Sequence, residues 1–411
     1  MFFTLSKKLK PLLWLAFSLS VWPVSSEEAS SLSVRGFGTL GAAQSSSADV
    51  EFIRDLSQPN GIKDHQWSTR TDTVLGVQAN WQASTELEAV GQVVSRYQYD
   101  SSRSPLIDVA FLKWAPDDRL SLRAGRITAD LMMLADSRLV GYSYLTVRPS
   151  VDFFGPLFFS SFDGADGSLT LPLGNGLIRS KLFAGIIQEK VIGAPGIWDT
   201  SGSSVYGLVV DYFSGNWQFR ASSTSVRLSD NVNFTSLTEP LKATGNPTAI
   251  SAADALSAKD TYSRYYSLGI VYDKGPLQLQ AAVNKITHET ATFQNSHAGY
   301  FLAGYRVDTL TPYIGISRWI TKYKNHVTGL PDNPYAPLNQ AYQLVMNASA
   351  VDQTTYTMGT RWDVWPQIAL KLQWDAIHGS SDSRFPYANA GAGENWNGRT
   401  DVISATMDFV F

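Results

Sequence analysis

Apolar and polar residues alternate with a period of two in one segment of this chain after another. Thr73, Leu75, Val77, Ala79 and Trp81 interleave with Asp72, Gly76, Gln78, Asn80 and Gln82. Leu277, Leu279, Ala281 and Val283 interleave with Gln278, Gln280 and Asn284, and Ile368, Leu370, Leu372 and Trp374 with Ala369, Lys371, Gln373 and Asp375. A period of two marks a strand with one apolar and one polar face. Each segment runs to about ten residues, the length a tilted strand needs to cross a bilayer.

Sixteen such strands are predicted, at 33–43, 72–82, 87–98, 106–114, 119–126, 167–173, 177–187, 203–213, 217–227, 264–273, 277–287, 298–306, 310–319, 353–363, 368–377 and 400–411. Their connections alternate in length. Short ones, such as Gly174–Gly176, Ser214–Asn216 and Lys274–Pro276, carry the Gly, Asn and Pro of tight turns. Long ones, at 44–71, 127–166, 228–263, 320–352 and 378–399, are rich in Ser, Asn, Asp, Gly and Pro. Short turns at one end and long loops at the other are the signature of a transmembrane antiparallel β-barrel, and an even strand count puts both termini on the periplasmic side. In hydrocarbon every backbone N–H and C=O must be paired internally, which strands achieve only in a ring without edges.

The last strand predicts the same closure. Ile403, Ala405, Met407, Phe409 and Phe411 alternate with Ser404, Thr406 and Asp408, so the final strand has an apolar, aromatic-tipped face. At the other end, Met1–Lys10 carries three lysines, Pro11–Val24 is apolar except at Ser18 and Ser20, and Val24-Ser25-Ser26 offers small residues before Glu27. That run is too short for a membrane helix, so residues 1–26 are expected to be an export signal and 27–411 the barrel.

Composition narrows the class further. Aromatic residues make up 12 % of the chain and charged ones 17 %, the latter below the roughly 25 % of soluble domains. Without Lys7, Lys8 and Lys10 the remainder carries 30 basic and 36 acidic side chains, a formal charge of −6 that argues against a nucleic-acid partner. There is no cysteine, so no disulfide contributes to closure. A large soluble β-sandwich would also alternate, but it accounts for neither the regular connection lengths nor the last strand.

Taken together, the leader, the opening Val34-Arg35-Gly36-Phe37-Gly38-Thr39-Leu40, the element Leu122-Arg123-Ala124-Gly125-Arg126 and the closing Met407-Asp408-Phe409-Val410-Phe411 resemble the outer-membrane porins of Gram-negative bacteria. The resemblance implies a water-filled diffusion channel in the outer membrane, a homotrimer, and a third outer loop folded back into the lumen. The third long connection here is 127–166.

That segment carries Asp130, Asp136, Asp152, Asp163 and Asp166 against Arg138 and Arg148, together with Phe153, Phe154, Phe158, Phe159 and Phe162, which suit it to pack against an inner wall. Strand parity points Arg35, Arg96, Arg123, Arg179, Lys181, Arg220, Arg361 and Lys371 inward. Acids on the loop opposite bases on the wall would set a transverse field at the constriction, where a lumen narrower than the Debye length of about 8 Å screens little. The plainer use of the same bases is pairing with Glu88, Asp211, Asp363 or Asp375.

Other motifs carry less. Gly36-Phe37-Gly38-Thr39-Leu40-Gly41 fits the dinucleotide pattern, but it lies within a predicted strand with no following helix. His65, His288, His297, His326 and His378 fall in loops or at strand ends without metal-ligand spacing, and no G-x-S-x-G elbow is present. No catalytic residue, metal site or cofactor is expected. The expected function is passive diffusion of ions and small hydrophilic solutes. Alternatives are a channel specific for a sugar or small organic acid, a barrel enzyme acting on lipids, and a plugged structural or adhesive barrel.

Overall fold

A computed structural model describes residues 30–193, 196–322, 326–381, 383–384, 387–388 and 396–411. The expected export signal lies outside the described residues. Sixteen strands close into one antiparallel ring. In chain order they are β1 Ser31–Ser45, β2 Val74–Gln82, β3 Leu87–Arg96, β4 Leu106–Trp114, β5 Leu120–Thr128, β6 Ser161–Leu173, β7 Gly176–Ile186 and β8 Ser204–Ser214. The ring continues with β9 Trp217–Arg227, β10 Tyr262–Lys274, β11 Leu277–His288, β12 Asn295–Tyr305, β13 Leu310–Lys322, β14 Asp352–Trp365, β15 Ile368–Gly379 and β16 Arg399–Val410. Every neighbour in sequence is a neighbour in the sheet, and β1 closes the ring on β16.

The turns at one end follow from backbone chemistry. Gly174, Gly215 and Gly275 each occupy the first central position of a two-residue hairpin with φ near +57°, the conformation that primed hairpin turns demand and that glycine adopts freely. At the seam, glycine serves close approach. A Cβ on Gly36 would strike the ring of Phe411 and one on Gly38 the ring of Phe409, so the two terminal aromatic rings lie flat over β1. The supposed dinucleotide motif is therefore seam packing.

Outside, Leu75, Val77, Trp81, Leu268, Val283, Ile314, Leu372 and Trp374 stand exposed in a continuous apolar surface. Such a face is stable only against lipid. Leu372→Arg, at a side chain 54 % exposed on this face, should cost about 2–4 kcal/mol, measured as a lowered urea midpoint in vesicles. Parity alone makes the neighbouring Gln373 a tolerant lumen position, and here the structure corrects the sequence. Gln373 is buried, accepting from Val147 N at 2.8 Å and from the Tyr313 hydroxyl at 2.9 Å, so an arginine there would break a loop contact.

The outer loops add structure that the strand pattern does not announce. Helices α1 Val151–Phe154, α2 Thr235–Ala243, α3 Pro247–Ala255 and α4 Asp332–Asn347 all lie in them. The α3 start is set by Asn246, whose side chain accepts from the amides of Thr248 and Ala249, with Pro247 at the first helical position. Leu237, Leu241, Ala252, Tyr342 and Met346 bury one another between α2, α3 and α4, making a small apolar unit at the outer mouth.

Candidate functional site: the loop across the lumen

The connection from β5 to β6, residues 129–160, folds into the ring. Its base is pinned where Ala129 N donates to Ser160 O at 2.8 Å. Phe153, Phe154, Phe158 and Phe159 are buried against Val205, Val209, Val226, Tyr265 and Ala298 of the inner wall, as the aromatic patch predicts. The wall opposite the loop is apolar at these positions, so burial rather than charge seats this half.

Charge fixes the rest, one strand at a time. Asp130 takes Lys181 of β7 at 2.5 Å and the Arg220 guanidinium of β9, which also grips Asp211 at 2.7 Å. Lys371 of β15 donates to Gly141 O at 2.8 Å and Thr146 O at 2.9 Å while pairing with Asp408 of β16 at 2.9 Å. Arg361 of β14 donates to Tyr142 O at 2.7 Å and Tyr144 O at 2.9 Å, and its guanidinium lies 4.6 Å from the Tyr142 ring centre. Asp152 accepts from Ser317 of β13 at 2.6 Å and Gln353 of β14 at 2.5 Å.

Arg148 is buried almost as completely as Lys371. Its side chain is 1 % exposed. It donates to Asp72 at 2.6 and 2.8 Å, to Asp375 at 3.1 Å and to the Ser404 hydroxyl at 2.5 Å, with the Phe52 ring 5.4 Å away. One guanidinium thus ties the loop to the approach to β2, to β15 and to β16, across the seam.

Several expected pore residues therefore serve another purpose. Arg148, Asp152, Arg220 and Lys371 are buried and lock the loop to the wall. Asp163 and Asp166 are not in the loop at all, because β6 begins at Ser161. Asp166 pairs with Arg123 across the strands, Nε to Oδ1 at 2.9 Å. Asp163 meets Arg126 at 2.7 Å, and the register places Arg126 opposite Ala110 on the outer face. A carboxylate on the outside of the ring cannot take part in a constriction.

Loop one, residues 46–73, reaches down to the same place. Arg54 donates to Arg138 O at 3.0 Å, Arg138 donates to Phe159 O at 3.0 Å, and Arg96 of β3 donates to the Ser57 hydroxyl at 2.9 Å with Asp55 4.0 Å away. Burial opposes the charge of Asp55, yet Arg96 and Arg54 beside it hold its carboxyl below the usual carboxylate range. Of the charges expected on the loop and the wall, those most open to lumen water are Asp136 and Arg35, both exposed, and the partly exposed Arg179 and Arg123 at 35 % and 23 %. Arg179 is paired with Asp211 at 2.9 Å.

Sequence reasoning missed Asp72, Asp408, Arg54, Asp55 and Glu189, which takes the Ser160 hydroxyl at 2.6 Å. Asp72 and Asp408 carried a usable signal, a carboxylate on the inward face of a predicted strand whose other inward residues are neutral. It also missed Ser263, whose hydroxyl lies 2.7 Å from Nδ1 of His288 across β10 and β11. Both residues face the lumen.

No family model and no curated protein sequence matches this chain. Solved structures match its fold. They include the anion-selective porin from Comamonas acidovorans, with a TM-score of 0.56, 12 % identity and coverage of 93 % of this chain and 100 % of that one. The outer membrane channel DcaP of Acinetobacter baumannii matches with a TM-score of 0.53 at 12 % identity, covering 95 % and 100 %. OmpT of Vibrio cholerae in its trimer form matches with a TM-score of 0.52 at 14 % identity, covering 92 % and 99 %. The chain thus has the porin fold, a sixteen-stranded membrane barrel with its third loop inside.

Proposed function

We propose that this chain is an outer-membrane channel of a Gram-negative bacterium, a porin through which ions and small hydrophilic solutes diffuse passively. The observation that carries the reading is a closed ring with ionised side chains on its wet inner face, narrowed by one loop riveted all the way round. Asp136 is exposed on the loop and Arg179 partly exposed on the wall, the two signs of charge that a transverse field requires. Assembly as a homotrimer within outer-membrane lipid belongs to the same reading, supported by the neighbour of the same fold in trimer form.

The chemistry is transport rather than catalysis. Ser263 and His288 point into the lumen, whereas the acyl chains a lipid hydrolase needs lie beyond the wall. Purified protein in a planar bilayer should give stepwise ohmic currents, and Asp136→Lys should move the reversal potential in a salt gradient toward anions. A folded, heat-resistant barrel that passes no current would refute the channel.

A further inference from the structure

Near its outer rim the lipid-facing side of the wall carries bases that mostly meet a carboxylate. Arg126 takes Asp163 at 2.7 Å, Arg227 takes Asp260 at 3.0 Å, Arg264 takes Glu289 at 2.8 Å, and Arg318 pairs with Asp352. Lys285 of β11 and Lys322 of β13 differ: both are exposed, and among the described residues neither is paired with a carboxylate. Between them stands His297 of β12, opposite Lys285 in the register and within electrostatic reach of both lysines. Like charges on neighbouring strands destabilise a sheet. The cluster calls for an anion.

From Leu277 at the turn to Lys285 the tilted strand climbs roughly 20 Å, close to the top of an apolar band about 25 Å tall. The three bases therefore sit where headgroups begin. A lysine at a rim can extend into water and need no partner, but solvation does not explain the wall below it. Val283 and Gly299, the next outward residues beneath Lys285 and His297, line a groove of about 750 Å³ on the outside of the barrel. Ala221, Ala281 and Gly299 leave it its depth, flanked by the exposed Leu268, Phe301 and Ile316. A second hollow of about 420 Å³ shares Leu268 and Val283 with it and has Lys285 in its lining.

We infer that Lys285, His297 and Lys322 hold the phosphate of an outer-leaflet lipid whose acyl chain lies in the groove. Ammonium groups bind phosphate as point charges, and the imidazole N–H adds a donor. Basic clusters at a membrane surface recognise phosphorylated headgroups, and the apolar groove beneath selects one that carries a chain. The carboxylates on either side, Glu289 beyond the end of β11 and Asp352 at the start of β14, are taken by Arg264 and Arg318. Neither competes for the site. The inference rests on the outer face meeting lipid, not on what the lumen passes.

The test is native mass spectrometry of the full chain in dodecyl maltoside, counting retained dilauroyl phosphatidic acid, with dilauroyl phosphatidylcholine as the zwitterionic control of equal chain length. The wild type should retain one phosphatidic acid at concentrations that leave no phosphatidylcholine bound. Lys285→Gln and Lys322→Gln should each weaken retention about tenfold, the worth of one charge-assisted hydrogen bond. Arg227→Gln, whose base already has Asp260, should not. Ala281→Leu should weaken it about fourfold, the worth of one methylene kept out of the groove, and Ala221→Leu serves if that variant loses its heat-resistant migration. Equal retention of the two lipids, or of phosphatidic acid by the wild type and both glutamine variants, overturns the site. Inorganic phosphate that displaces the lipid, together with a leucine variant that binds as well as the wild type, would replace the lipid with a free anion as occupant and overturn the inference. Retention needs no current, so a non-conducting barrel would leave this site standing, and a conducting barrel that retains both lipids alike would sink the site alone.

Discussion

Replacing Arg148 with alanine should raise single-channel conductance, on the order of twofold or more, while the barrel still forms. The side chain is 1 % exposed and satisfies Asp72, Asp375 and Ser404 at once. Removing one member of such a cluster leaves uncompensated buried carboxylates, a cost of about 3–5 kcal/mol. The ring itself has an escape that costs less. Its backbone ladders are unbroken around the circumference, whereas the loop segment carrying residue 148 can lift away and admit water to both carboxylates. The strain is therefore relieved by undocking the loop rather than by opening the sheet. Lysine at this position would restore charge but not the fork that reaches two strands, so Arg148→Lys should fall between wild type and alanine. Equal conductance in all three proteins would show that this part of the loop does not bound the passage.

The architecture was legible because the forces that make it act on every strand. A period of two, an apolar outer face and alternating connection lengths are repeated sixteen times, so an error in one strand cannot hide the ring. Parity also placed all eight wall bases on the correct face. Depth was another matter. Arg35 stays in water while Lys371, on the same inner face, is entirely covered, because burial there depends on where 129–160 docks, which no local pattern encodes. The plainer reading of these bases holds for Asp211 and Asp363, which pair with Arg179 and Arg220 and with Arg361, whereas Asp375 takes Arg148 of the loop and Glu88 takes Lys113.

The start of β6 was misread for an instructive reason. Phe162-Asp163-Gly164-Ala165-Asp166-Gly167 looks like turn chemistry, and as a single sequence it is. Arg126 and Arg123 on the neighbouring strand neutralise the two aspartates, and Gly164 lies so close to Ala184 O that a side chain would not fit. Tertiary pairing overrides a local preference. The helices α2, α3 and α4 were missed likewise, since they are stabilised by packing on one another rather than by their own periodicity.

Lys371 and Asp408 allow wall and loop to be separated. Both side chains are 0 % exposed and lie 2.9 Å apart on neighbouring strands β15 and β16. Lys371→Met should destabilise the barrel by about 3–5 kcal/mol, because Asp408 would keep only the hydroxyls of Thr39 and Thr406. Adding Asp408→Leu removes the orphaned charge, and replacing a whole buried pair by apolar side chains is often neutral, so the urea midpoint in vesicles should recover most of its loss. Conductance should not recover with it. Lys371 also donates to the Gly141 and Thr146 carbonyls of the loop, and no apolar pair can replace those bonds, each worth about 1 kcal/mol. The double variant should thus be a stable barrel with a loosened loop and a raised, noisier current. If its current returned to the wild-type level together with its stability, the lysine would be a wall residue alone and the tether would have to lie elsewhere.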